Sequence, residues 1–236
     1  MADILEHVEH HTDLTLLAIT DHDEIRGAHE ARELAARRQY RFEVVVGTEV
    51  TTLDGHLLAL FVERPFRMLQ SVEKTIEEAH AQGGICVVPH PMSWLTLSVG
   101  QSRLLRVARH PSPSVYFDGI ETFNPTVAGK VVHERALDFN ARVLGLAEMG
   151  GSDSHCLNLI GSAHTLYPGK TAAEFRQALV ERTTVACGQF WTANDYLQGL
   201  AEQQFRALIV HPSQKIRRAL GSAFSQAIGE ERSPDD

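Results

Sequence analysis

Apolar residues fall along this chain in short runs that alternate with amphipathic stretches. Residues 14–20 form a compact β-like run. Further strand-like runs cover residues 44–50, 56–62, 85–88, 119–123, 143–149 and, more weakly, 183–187. Helical spacing predicts helices over residues 3–11, 25–39, 71–82, 100–110, 130–141 and 171–181. Strands separated mostly by single helices imply an α/β fold with parallel strands and helical crossovers, either a barrel or a doubly wound sheet. No GxGxxG or Walker loop supports the nucleotide-binding version. Thr52-Leu53-Asp54-Gly55 carries a hairpin signal, so the run opened by His56 reads as an antiparallel return beside the strand ending near Glu49. Past Trp191 the pattern fades, although Ile216, Leu220 and Phe224 are spaced for one helical stripe and residues 230–236 read as a frayed end. The expected organisation is one domain over residues 1–190 and a partly helical C-terminal extension over 191–236.

Composition narrows the functional classes. The 236 residues include 22 Lys+Arg and 30 Asp+Glu, a formal charge of −8, with no basic stripe, so sequence-specific nucleic-acid binding is not expected. The longest apolar run, near residues 57–62, is far below the roughly 18 residues that a membrane span needs. The first residues carry no basic and apolar leader, which places the expected location in the cytoplasm. Cys86, Cys156 and Cys187 form no CxxC and read as packing residues in a reducing compartment. Thirteen histidines in an acidic chain prompt a metal hypothesis, because neutral imidazole is the commonest ligand for zinc-like ions.

The candidate ligands sit where strands end. Residues 14–20 run into Asp21-His22-Asp23, 44–48 into Glu49, 85–89 into His90-Pro91, and 143–149 into Gly150-Gly151-Ser152-Asp153-Ser154-His155. In parallel α/β folds the carboxyl ends of strands share one rim, which carries the site. Singly, each piece also fits a structural role: a helix-capping turn for Asp21-His22-Asp23 and for Asp153-Ser154-His155, a solvated strand end for Glu49, a hydrogen-bonded core imidazole for His56 or His90. Jointly, His22, Glu49, His56, His90, Asp153 and His155 form a mixed N/O set without cysteine, the type that suits Zn, Mn or Fe. Trp94 and Met92 lie at the rim and are read first as packing residues. Asn124-Pro125 is read as a turn, and Arg103, Arg106 and Arg109 as a solvated helix face. No motif places His164, beside a short strand-like stretch at 165–167, in the site.

These stretches, in this order, resemble the PHP (polymerase and histidinol phosphatase) domain family: Leu17-Ala18-Ile19-Thr20-Asp21-His22-Asp23, Gly47 to Leu58, Val88-Pro89-His90-Pro91 and Gly151-Ser152-Asp153-Ser154-His155. The resemblance implies a distorted (β/α)7 TIM-like barrel with up to three divalent ions at its C-terminal rim. It implies hydrolysis of a small phosphomonoester or nucleotide-like substrate by a metal-activated water, with no separate nucleophile. The six residues above would be the ligands. Glu49, His56 and His90 form one metal position by this analogy, and the positions using His22, Asp153 and His155 lack partners. The family's opening HxH motif has no counterpart upstream of His22. His7, His10 and His11 lie on a helix feeding the opposite end of the first strand, about six residues at roughly 3.3 Å, or some 20 Å, away. The expected barrel therefore lacks its first strand, with Met1 either a late start or the start of a shortened form. Two other readings stay open: an impaired metal-binding or interaction domain whose unpaired edge strand favours a partner or homo-oligomer, and a metal-dependent amidohydrolase.

Overall fold

The structure, a computed structural model, describes residues 1–197. The predicted stripe of Ile216, Leu220 and Phe224, the end at 230–236 and most of the expected extension lie outside the described residues. A compact unit spans Met1–Trp191. In it α1 (Ala2–His11) leads into β1 (Leu16–Ile19) and α2 (Arg26–Arg38), then into the hairpin of β2 (Glu43–Thr52) and β3 (Gly55–Leu60). There follow α3 (Val72–Ala81), β4 (Ile85–Val88), α4 (Gln101–Ala108), β5 (Gly119–Phe123), α5 (Val127–Lys130), α6 (His133–Phe139) and β6 (Ala147–Gly150). Strands β7 (Ala163–Leu166) and β8 (Val185–Gly188) flank α7 (Ala172–Glu181).

Six strands form one sheet in the order β1 to β6. β1 runs parallel to β2, β3 is antiparallel to both neighbours, and β4, β5 and β6 are again parallel. Consequently the carboxyl ends of β1, β2, β4, β5 and β6 and the amino end of β3 share one rim. The hairpin turns on Leu53-Asp54, with Thr52 paired to Gly55. Gly55 has φ +132°, and a Cβ there would come within 2.3 Å of the Val99 backbone, so the turn needs glycine both for conformation and for room.

Alternation along the strands builds two cores. Val44, Val46, Val50, Leu57, Ala59, Cys86, Val88 and Ile120 face α1, α2, α3, α4 and α6. Val45, Leu60, Ile85, Val87, Ala147 and Met149 face the other way, toward Phe175 and Leu179 of α7. The sheet is thus a curled half-barrel with a helix on its inner face, and not the closed seven-unit ring implied by the resemblance. β7 and β8 pair with each other in a separate ribbon. Thr165 explains the separation: its hydroxyl accepts the Gly150 N–H and donates to the Gly150 carbonyl, both at 3.0 Å, occupying groups that a backbone ladder from β6 would use.

Two further departures are local. The predicted helix over 130–141 is divided into α5 and α6, and α6 continues into a π-helical turn, Asn140–Leu144. The strand predicted from 143 starts only at Ala147, because the Asn140 side chain binds both the N–H and the carbonyl of Leu146 and closes the turn. The helix ends are held as their sequences suggest. Ser71 caps α3, and Thr171 with Glu174 makes a capping box on α7.

Candidate metal centre

The parity that sorts the cores also aims the ligands. Glu49 lies four residues beyond Val45 on β2 and shares its inner face. His56, opposite Thr51 in the hairpin register, joins the same face. His22 is drawn in by a parallel bridge to Glu49, in which Glu49 donates its N–H to the Asp21 carbonyl and accepts from Asp23 N–H. Asp23, with φ +52°, does not cap α2: its carboxylate binds the N–H and hydroxyl of Thr51, locking the loop onto β2. Glu24 instead takes the Ile25 and Arg26 N–H groups at the helix start.

Three imidazoles converge on one carboxylate. His56 Nδ1 is 2.8 Å and His90 Nε2 3.3 Å from Glu49 Oε1, and His22 Nε2 is 3.7 Å from Oε2. His22, Glu49 and His56 offer donor atoms within 4.8 Å of one another. His56 Nδ1 is buried and, despite its short approach to Glu49, is not aligned for a hydrogen bond. Two ligand atoms that approach without bonding, in a buried site, are placed to share a third, positive partner, so the residues present fit a divalent cation. Burial would raise the Glu49 carboxyl, but the close imidazoles of His56 and His90 and the charges of His90 and His22 hold it down to about 2.

His90 is fixed from three sides. Its backbone sits at φ +29°, its N–H donates to Glu121 Oε2 at 2.7 Å, and its Nδ1 lies 2.8 Å from the Ser98 hydroxyl, which leaves Nε2 facing Glu49. Asp23, His90, Met92 and Asp153 all have positive φ, so four left-handed residues gather in the rim loops. Glu121 escaped the sequence reading. It is buried, and its Oε2 also accepts from Asn124 Nδ2 at 2.8 Å, while the same amide reaches Asp153 Oδ2 at 3.3 Å. Asn124 is therefore a bridge between two carboxylates as well as a turn residue. Burial above all, with the charge of Asp153 added, pushes the Glu121 carboxyl up to about 7, although His90 and Asn124 oppose it. Asp153 is raised too, first by burial and then by Glu49. Gly151 exists for this network, since a Cβ there would lie 2.4 Å from Glu121 Oε1. A Cβ on Gly150 would strike the His164 carbonyl at 2.4 Å.

Of the six expected ligands, His22, Glu49, His56 and His90 come together directly, and Asp153 is tied in through Asn124 and Glu121. His155 is exposed, with Nδ1 3.1 Å from the Asp153 carbonyl on its own loop. Met92 is buried as a packing residue, whereas Trp94 is 77% exposed, so the packing expectation fails for it. Arg103 and Arg106 do not form a free solvated face. They grip Asp54 Oδ1 at 2.8 and 3.1 Å and so brace the hairpin turn beside His56. His7, His10 and His11 stay on α1, whose last turns are bound by Arg41 at the start of β2, the end of the sheet away from the rim.

Residues 133–184 match the PHP_C family model, described as PHP-associated. An uncharacterized protein of Methanocaldococcus jannaschii is 33% identical over 125 residues, covering 53% of this chain and 67% of the relative. Among solved structures, a two-domain protein of Bacteroides vulgatus containing a predicted PHP-like metal-dependent phosphoesterase superposes with a TM-score of 0.57 at 20% identity over 84% of this chain. This chain spans 64% of that protein's length. A metal-dependent phosphoesterase candidate of Bifidobacterium adolescentis gives 0.53 at 17% identity, covering 76% of this chain and 90% of the other. At these identities the two structures are similar in fold. Together with the PHP-associated match over residues 133–184, they support a PHP-family domain in this chain.

Proposed function

We propose that this protein is a metal-dependent phosphoesterase acting on a small phosphomonoester or nucleotide-like substrate. The observation that carries the reading is the convergence of His56, His90 and the half-exposed His22 on the buried Glu49, with His56 Nδ1 lacking an aligned hydrogen bond. Glu49, His56 and His90 would hold a divalent ion of the Zn, Mn or Fe type, with His22 and Asp153 beside them. Such an ion supplies charge neutralisation for phosphate oxygens and lowers the pKa of a water. The chain's own residues set the stage. Ser98 and Glu121 orient His90, Arg103 and Arg106 brace the turn that delivers His56, and Asn124 keeps Asp153 turned toward the rim. No sequence motif calls for a protein nucleophile, and three cysteines outside any disulfide suit a reducing, cytoplasmic setting.

One observation favours a second reading, in which the rim holds a single ion and does not turn over substrate. His155 is exposed, its Nδ1 lies against the Asp153 carbonyl of its own loop, and it stands outside the group of donor atoms that His22, Glu49 and His56 bring within 4.8 Å. Metal content of protein purified without added metal, with p-nitrophenyl phosphate turnover in Mn or Zn, separates the two. Two or more ions per chain, with turnover lost in His90→Ala, support the phosphoesterase. One ion or none without turnover supports the second reading, and cleavage of acyl amides in place of the phosphate ester would assign an amidohydrolase.

A further inference from the structure

A second set of ligand-type side chains lies at the other end of the sheet and on its outer face. His80 is in the last turn of α3, Cys86 is the second residue of β4, and Asp118 immediately precedes β5. Their donor atoms lie within 4.8 Å of one another. Four residues, roughly 13 Å of extended chain, separate Cys86 from His90, so this cluster is distinct from the rim.

The hydrogen bonds constrain the imidazole. His80 Nδ1 is 2.8 Å from the Ser114 carbonyl, and Nε2 is 3.0 Å from Asp118 Oδ2. A carbonyl can only accept, so Nδ1 carries a hydrogen. In a neutral ring Nε2 then presents its lone pair to a carboxylate oxygen, acceptor against acceptor. A positive species must lie between them, either a proton or a metal ion. An Nδ1–H donated to a backbone carbonyl is the support that metal-binding histidines commonly have, and the Cys86 N–H holds Asp118 Oδ2 at 2.7 Å in the same way. The fully buried Cys86 thiol adds a soft third donor that an ion pair alone would not need. Tyr116, tilted against His80 with ring centroids 4.4 Å apart, covers the ring, while His80 and Asp118 keep a partly exposed side.

We infer that His80 Nε2, Cys86 Sγ and an Asp118 carboxylate oxygen form a second cation site, suited to a zinc-type ion, whose fourth position opens to water. Binding exchanges protons for the ion: the thiol gives up its proton, and a charged His80 gives up the one on Nε2. The 2+ charge is then balanced by one thiolate and one carboxylate. Donor separations up to 4.8 Å close by about 1 Å to meet zinc-like bond lengths of roughly 2.0–2.3 Å. The ion would pin the end of α3 to the starts of β4 and β5, whatever chemistry the rim performs.

Titrating the full chain with Co2+ tests this, because thiolate ligation gives a near-ultraviolet charge-transfer band that an N/O rim does not. The band should saturate at one ion, vanish in Cys86→Ala and in His80→Gln, and persist in Cys156→Ala and Cys187→Ala. It should also persist in Glu49→Gln, which removes the rim ion and keeps the two sites distinguishable. His80→Gln, with the thiol intact, serves if Cys86→Ala does not fold. Absence of the band in folded wild-type protein at excess Co2+, or its survival in either Cys86→Ala or His80→Gln, overturns the assignment.

Discussion

At the carboxyl end of β4, His90 joins two other imidazoles around Glu49, with Glu121 buried and Asp153 half-buried nearby. At its amino end a single imidazole, His80, faces a single carboxylate, Asp118. Both groups use the same residue types, yet their balance differs. Without an ion the lower pair holds one proton on His80, where burial works against the proton and Asp118 and Ser114 outweigh it, and an ion there must displace that proton. The rim brings three carboxylates close together, leaves His56 Nδ1 without an aligned hydrogen bond and raises the Glu121 and Asp153 carboxyls. The lesson is that residue type alone does not mark a cation site. The rim crowds buried acceptors around one carboxylate, whereas the lower cluster needs the Cys86 thiolate beside its imidazole–carboxylate pair.

Replacing Glu49 with Gln should break the contrast most severely. It removes the charge on which three imidazoles converge and should lower rim ion content and any phosphatase turnover by on the order of 100-fold or more, since even supporting residues are worth about 10–100-fold. Circular dichroism should stay native, and metal analysis checks the loss. Glu121→Ala should be milder, with ion affinity falling about 10–100-fold as the His90 backbone and Asn124 lose their acceptor. A calorimetric titration of Zn2+ measures it.

Stability against pH comes next. Glu121 has a folded pKa near 7 against 4.5 for the ordinary carboxyl, so its stabilising contribution is complete below about 4.5 and is lost as pH rises through about 7. Metal-free protein should therefore melt lower at about pH 8 than at about pH 5.5, and a bound divalent ion should shrink the difference. Glu49, held at about 2, works in the opposite sense and only in more acid solution: its stabilisation is lost as pH falls from about 4.5 toward 2. His80 contributes below its raised pKa and loses that contribution as pH climbs past it, so the same melts on His80→Gln isolate the rim's share. That variant should lower stability by about 1–3 kcal/mol and leave turnover unchanged. Arg103→Ala should have the smallest effect, below about 1 kcal/mol in a denaturant melt, because half of that side chain is exposed and Arg106 still holds Asp54.

Much of this was legible one residue at a time. The strands at β4 and β5 lie where their apolar runs predict, and the Asp54-Gly55 signal correctly reversed β3, which put His56 at the rim. Glu121 was hidden because a lone Glu between Ile120 and Thr122 in a strand reads as a solvated position. Only the neighbouring strands and the Gly150-Gly151 approach show that its face is buried. Asp23 read as a helix cap because the partner it binds, Thr51, is 28 residues away. The separate β7–β8 ribbon escaped for a similar reason: Thr165, distant in sequence from Gly150, takes the backbone groups that would have joined β6 to β7.

By itself the sequence determined the α/β alternation, the strand ends and the ligand-type residues at them, because periodicity and turn chemistry act over a few neighbours. The tertiary structure decided which of those residues meet. It gathered His22, Glu49, His56 and His90, left His155 in solvent, and placed Cys86 with His80 and Asp118 on the opposite face. That outcome depends on sheet curl, register and close backbone approach, which are set by contacts between segments far apart in the chain.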